Sequence, residues 1–196
     1  MIFVFAYSIN VCGQADRPYN FGNLFFGGTT SFQIENAEIY STADQASSRY
    51  KRQEFSNDMY VGFFVSNNIA VGLGLNAIYY RTQFSNSTFT ENDILISSFV
   101  RGYIPQGLFI EGLLGIGTSN AILLGSDSNN ERDLYAWGLG LGYDIKLSNR
   151  IFIEPMICYT SRIENLIDYE YNHSYKGIKI KLGVQVYLNT LKNNKS

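Results

Sequence analysis

The chain of 196 residues holds one histidine, His173, and it stands beside Ser174. An imidazole base next to a hydroxyl nucleophile is the chemistry of acyl-ester hydrolysis, but that chemistry needs the base within hydrogen-bond reach of the nucleophile and an acid to orient it. Adjacency in a polar stretch supplies neither. Glu111 and Glu154 form a second candidate pair, of the kind used for acid–base work. They belong to a wider set of ionisable residues, Arg101, Glu111, Asp144, Lys146, Glu154, Arg162, Lys179 and Lys181, in which both signs occur. Because buried charges must be paired, this set reads first as an interior ion network and not as an acid–base site. A third group is acidic: Asp127, Glu131 and Asp133, then Glu164, Asp168 and Glu170. These residues are expected in loops, where they could bind divalent cations or an external partner, although solvated loops carry such charges by default. The two cysteines, Cys12 and Cys158, lack the spacing of a zinc site. No residue pattern implies a cofactor or a resident metal.

The elements that must position these residues have period two. Runs such as "NIAVGLGLNAIYYRTQ", "DILISSFVRGYI", "RDLYAWGLGLGYDIKL" and "YKGIKIKLGVQVYL" alternate aromatic, β-branched or leucine residues with small or polar ones. Eight such runs predict eight strands and no helix. Several are longer than the five or six residues usual in soluble sheets and match the roughly nine to eleven that a tilted strand needs to cross a bilayer. Three connections are tight: Ser66, Asn67 and Asn68; Pro105, Gln106 and Gly107; Ser148, Asn149 and Arg150. They recur about every forty residues. The other four connections are expected to be long polar loops, at about residues 36–50, 84–92, 120–131 and 164–174. Short turns at one end and long loops at the other are the mark of an outer-membrane barrel.

Face assignment turns on glycine. In the run from Tyr135 to Leu147, the residues Tyr135, Trp137, Leu139, Leu141, Tyr143, Ile145 and Leu147 share one side, opposite Ala136, Gly138, Gly140, Gly142, Asp144 and Lys146. A water-facing surface has no use for a row of glycines, which cost order and packing. Inside a narrow barrel they leave room for long side chains from other strands. The apolar sides are therefore expected to face lipid. Phe63, Tyr79, Tyr135, Trp137, Tyr143 and Tyr159 are then the expected interfacial aromatics, with Phe63 and Tyr143 nearer the short turns.

Composition agrees with this reading. Charged residues make up 16% of the chain and aromatics 15%, with a net charge of −2. The charged share lies well under the roughly 25% of an ordinary soluble domain. No dense basic run supports a nucleic-acid role. Residues 1–15 read as a signal peptide, with a truncated start expected because no Lys or Arg precedes the apolar run. Residues 20–188 form the barrel, and 189–196 form a short polar periplasmic tail.

The order "VGFFVSNNIAVGLGL", "FVRGYI", "GLGLGYDIKLSNRIFIEPMICY" resembles the small outer-membrane β-barrel proteins of Bacteroidetes, themselves similar to OmpX and the OmpA membrane domain. The resemblance spans nearly the whole chain after the signal. It implies an all-β fold, an eight-stranded antiparallel up-and-down transmembrane barrel in the bacterial outer membrane, surrounded by lipid and lipopolysaccharide. Such barrels usually end on an aromatic residue, whereas Leu188 here is followed by "NTLKNNKS". The function expected is non-enzymatic. It would act through external loops on a protein or surface ligand, in surface interaction, adhesion or envelope integrity. The alternative is a lipid-A-modifying, deacylase-like enzyme that uses His173.

Overall fold

Alternation of large apolar with small or polar side chains continues along strands that all pair antiparallel with their chain neighbours. The structure, a computed structural model, describes residues 18–41, 46–84, 87–104, 106–122, 130–166 and 171–188. The strands are β1 (Leu24–Ser41), β2 (Ala46–Ser66), β3 (Ile69–Phe84), β4 (Ser87–Tyr103), β5 (Leu108–Ile122), β6 (Asn130–Tyr143), β7 (Ile151–Leu166) and β8 (Tyr171–Leu188). After Asp144, β6 resumes for Ile145–Lys146. Pairing of β1 with β8 closes the sheet into an eight-stranded barrel.

The stagger of that closure follows from the register. Paired residues lead around the wall from Leu24 through Phe63, Val71, Val100, Gly112, Leu139, Tyr159 and Ile178. They return to β1 at Ile34, ten residues further on. A stagger of that size on eight strands tilts them by about 45° and leaves an interior just wide enough for side chains to fill.

The outward face is an apolar belt. Leu73, Ile96, Leu114, Leu139, Ile180 and Leu182 are each more than half exposed. Towards the loop end the belt stops within one outward step on six strands: Phe55 gives way to Gln53, Tyr79 to Arg81, Ile94 to Asn92, Ile116 to Thr118, Tyr135 to Asp133 and Ile178 to Lys176. Below that margin the belt runs for about a dozen residue rows. At this tilt its height is about 25 Å, the apolar height of an outer-membrane barrel. Outward polar groups inside the belt are satisfied locally, as lipid requires: Thr30 Oγ1 donates to Asn57 Oδ1 at 2.8 Å.

The expected long loops are corrected by the pairing. β1 and β2 stay paired to Ser41 and Ala46, and β3 and β4 to Phe84 and Ser87. The intervals between strands shrink to residues 42–45, 85–86, 123–129 and 167–170, which lie outside the described residues. The strands simply continue past the belt. There neither face needs to be apolar, so a polar composition that reads as loop is compatible with a ladder. At the other end the turns are as short as expected. Asn68 (φ 70°), Gln106 (φ 89°) and Gly107 (φ 93°) adopt the left-handed conformation that tight hairpins use. Residues 1–17 and 189–196, which include the signal and tail expectations, lie outside the described residues.

Candidate functional site in the barrel lumen

The inward residues fill the lumen in layers, and glycine sets where bulk can go. The rings of Phe99 and Phe109 lie across Gly72 and Gly142, and Met156 with Cys158 lies across Gly140, so a Cβ at any of these glycines would overlap its neighbour. Cys158, the one cysteine among the described residues, is buried there as a free thiol.

At the short-turn end lies an aromatic floor of Phe25, Phe64, Tyr103, Phe109, Phe152 and Tyr187. The segment ahead of β1 crosses beneath it and inserts Tyr19. That ring stacks on Tyr103 with centroids 4.2 Å apart, and its hydroxyl donates to Asp144 Oδ2 at 2.6 Å. The strap is tied down by its backbone: Asn68 N donates to Tyr19 O at 3.0 Å and Gly22 N to Phe64 O at 2.9 Å. Gly22 sits at φ 81°, which a residue with a Cβ rarely adopts.

Above the floor sits Arg101, 2% exposed. Its Nε and Nη2 donate to Glu111 Oε2 at 2.9 and 2.7 Å, and its Nη1 donates to Glu154 Oε1 at 2.9 Å and Gln185 Oε1 at 2.8 Å. The guanidinium also lies 4.3 Å from the Phe109 ring centroid. One cation thus faces two carboxylates, with Asp144 in the floor below. Tyrosine hydroxyls supply the further donors: Tyr60 to Glu154 at 2.6 Å, and Tyr187 with Tyr19 to Asp144.

At mid-height Lys181 Nζ donates to Asp58 Oδ2 at 2.8 Å, and Thr29 Oγ1 donates to the same oxygen at 2.9 Å. Lys179 pairs with Glu54. Towards the loop end, Arg162 lies between Glu54 (3.6 Å), Asp93 (3.9 Å) and Glu164 (3.7 Å), with its guanidinium 4.4 Å from the Tyr80 ring centroid and 4.8 Å from that of Tyr175. Arg132 reaches Glu164 at 3.1 Å and Glu91 at 3.7 Å. Two interior cavities bounded by described residues measure about 40 and 30 Å³, and both touch Asp58, Asn76, Ser97, Leu113 and Lys181. A cavity of that size holds a water or two, not a solute.

Of the sequence candidates, Arg101, Glu111 and Glu154 meet directly, and Asp144 lies in the floor below them. Lys179, Lys181 and Arg162 sit higher: Lys181 pairs with Asp58, while Lys179 and Arg162 share Glu54. Lys146 stands apart, half-buried where β6 resumes and paired through its backbone with Phe152. Glu54, Asp58, Asp93, Tyr60 and Gln185 complete these layers and were not singled out from sequence. Tyr60 beside Gly62, and Gln185 between Gly183 and Tyr187, carry the signal that marked β6, whereas Asp93 has only Glu91 and Leu95 next to it on its face. Tyr19 carries no such signal, since a lone aromatic ahead of the first strand has no period to reveal it.

The acidic groups expected in loops are placed otherwise. Glu131 and Asp133 belong to β6 and Glu164 to β7, where it is buried in the lumen. Asp127, Asp168 and Glu170 lie outside the described residues. His173, expected in the last loop, lies on β8 in register with Glu164. Among the described residues no group of three or more His, Cys, Asp or Glu side chains is placed to hold a metal ion. On the outer face Phe63, Tyr79, Tyr135, Trp137 and Tyr159 are exposed and Tyr143 is half-buried. Trp137 and Tyr159 pack with centroids 5.7 Å apart.

No protein-family model and no curated protein sequence matches the chain. Solved structures do. Neisserial surface protein A is 14% identical with a TM-score of 0.54, over 83% of this chain and 96% of that one. The outer membrane protein OprG from Pseudomonas aeruginosa is 10% identical with a TM-score of 0.55, over 89% and 100%. The shared feature is the fold. In architecture the chain is an eight-stranded outer-membrane β-barrel, and its exposed apolar belt is what that setting demands.

Proposed function

We propose that the chain is a non-enzymatic protein of the bacterial outer membrane, of the small Bacteroidetes barrel group, that acts at its outer rim in surface interaction, adhesion or envelope integrity. The observation that carries this reading is the closed lumen. Tyr19, the aromatic floor and the Arg101 layer stand in series, and the cavities above them hold no more than a water or two. A solute has no route through, and the interior charges act as internal supports that hold opposite walls together. A partner must then meet the strand extensions and the four connections beyond the belt, where function in such scaffolds resides. In this reading the short turns lie in the periplasm, residues 1–15 are a cleaved signal and 189–196 a periplasmic tail. One neighbour of the fold is named as a surface protein, which accords with a role at the rim.

A deletion strain tests this. It should lose adhesion to surfaces or leak periplasmic markers, and a copy lacking residues 123–129 should fail to restore adhesion while still inserting in the membrane. Its lipid A should have an unchanged mass spectrum. A lipid A species that disappears with the gene would replace this reading with an enzymatic one.

A further inference from the structure

The outer margin of the belt is electrostatically lopsided. Six strands show the step from apolar to polar, and its residues are Gln53, Arg81, Asn92, Thr118, Asp133 and Lys176. Both cations fall in one sector: Lys176 on β8 and Arg81 on β3, separated only by β1 and β2. The one anion, Asp133, is on β6, across the barrel from β2. The Lys176 rung meets β2 at residue 51 and the Arg81 rung meets it at Gln53, so three interstrand spacings and a two-residue offset put Lys176 and Arg81 about 16 Å apart along the wall.

Their height matters as much as their side. Between this margin and the short turns, no described outward residue is charged. The two cations therefore stand at the first level where lipid headgroups replace hydrocarbon. Tyr79 and Ile178 occupy the same face one step below them. A Lys or Arg stem can lie along such apolar surface while its charge stays in the headgroup layer. A guanidinium offers parallel N–H donors that match phosphate oxygens, and an ammonium adds a point charge. We propose that the β8–β1–β2–β3 sector binds phosphate-bearing lipid headgroups of the outer leaflet, at two phosphate positions about 16 Å apart, while the β6 side disfavours them. This rests on the membrane-spanning reading above and adds to it a preferred lipid chemistry and a preferred side.

The test uses the folded full chain in phosphatidylcholine vesicles with trace spin-labelled phosphatidic acid or spin-labelled phosphatidylcholine. The measured quantity is the motionally restricted fraction of each label. An attraction of ~1 kcal/mol per cation near anionic lipid corresponds to about fivefold, so the acidic label should associate several-fold more than the neutral one. Arg81→Gln with Lys176→Gln should bring the ratio close to one, and Asp133→Asn should leave it unchanged or raise it. Equal association of both labels with the unmodified protein would overturn the proposal, as would a preference that survives in the double variant. Insertion is scored separately, by faster migration of the unheated protein on gels. Failure to insert would overturn the membrane reading and this proposal with it, whereas insertion without preference overturns this proposal alone.

Discussion

Arg101→Met isolates what the charged layer contributes to stability. The guanidinium is buried, and two carboxylates, Glu111 and Glu154, and the Gln185 amide oxygen converge on it at 2.7–2.9 Å. Methionine keeps much of the stem and its packing, so the cavity contribution is small. The two carboxylates are instead left facing each other in a closed interior. Breaking a buried ion pair from one side costs about 3–5 kcal/mol, and loss of the contact with the Phe109 ring adds up to about 1 kcal/mol. With a urea slope of about 2 kcal/mol per molar, the unfolding midpoint in lipid vesicles should fall by about 2 M. The assay is tryptophan fluorescence of Trp137 against urea, with unheated gel mobility to show that each variant inserts. Adding Glu111→Gln and Glu154→Gln to Arg101→Met removes the orphaned charges and should restore at least half of the loss. A fall of less than about 1 kcal/mol for the single variant, or a triple variant no better than the single, would refute the claim that charge pairing holds this layer.

Three further outcomes follow from the same geometry. Leu141 faces lipid and Gly140 faces the lumen, so Leu141→Arg should cost about 2–4 kcal/mol in vesicles and Gly140→Trp about 1–3 kcal/mol from overpacking. A neutral Gly140→Trp would mean that the faces are exchanged. Tyr19→Ala removes the stack on Tyr103 and the donor to Asp144; the urea midpoint should fall by an amount equivalent to about 2–4 kcal/mol, and Tyr19→Phe should lose only the part due to the hydroxyl. If both variants unfold with the native protein, the strap does not seal the mouth. Cys158 is walled in beside Gly140 and Met156, so a polar maleimide should leave it unmodified in vesicles and modify it fully after unfolding in urea. Rapid labelling of the folded form would show that water and solutes pass the layers described.

How much of this could be read from the chain follows from what leaves a periodic trace. Inside the belt, the alternation of Trp137, Leu139 and Leu141 with Gly138, Gly140 and Gly142 states both the strand and its faces, because lipid on one side and crowding on the other restrict what each position accepts. Beyond the belt the outer restriction is lifted. Glu35, Asn36, Arg52 and Lys51 pair as strand with a composition that reads as loop, so the ladders are longer and the connections shorter than the sequence suggests. The charged layers were legible only in part, as Arg101, Glu111 and Glu154 but not as Glu54, Asp58 and Asp93, and their pairing across strands was not legible at all. Nothing in the spacing of Arg101 and Glu154 says that the tilt brings β4 and β7 to the same height, since that depends on a stagger accumulated around the whole wall. Tyr19 was invisible for the opposite reason, because its position is set by the floor it plugs and not by any strand of its own.

The same stagger explains why the rim is where activity must be sought. With eight strands and a ten-residue offset, the bore is so narrow that charged side chains in the lumen reach partners two or three strands away. Arg101 on β4 reaches Glu154 on β7, Lys181 on β8 reaches Asp58 on β2, and Arg162 on β7 reaches Glu54 on β2 and Asp93 on β4. Each pair satisfies charges that would be costly alone, and each bars the path between the two ends. Widening the bore to admit a solute would orphan those charges, at a cost comparable to the whole stability of a small domain. Selection on this scaffold is therefore freest at outward positions such as Gln53, Arg81 and Lys176, which are exposed and do not face the lumen. The lumen itself is fixed by the need to pair what it contains.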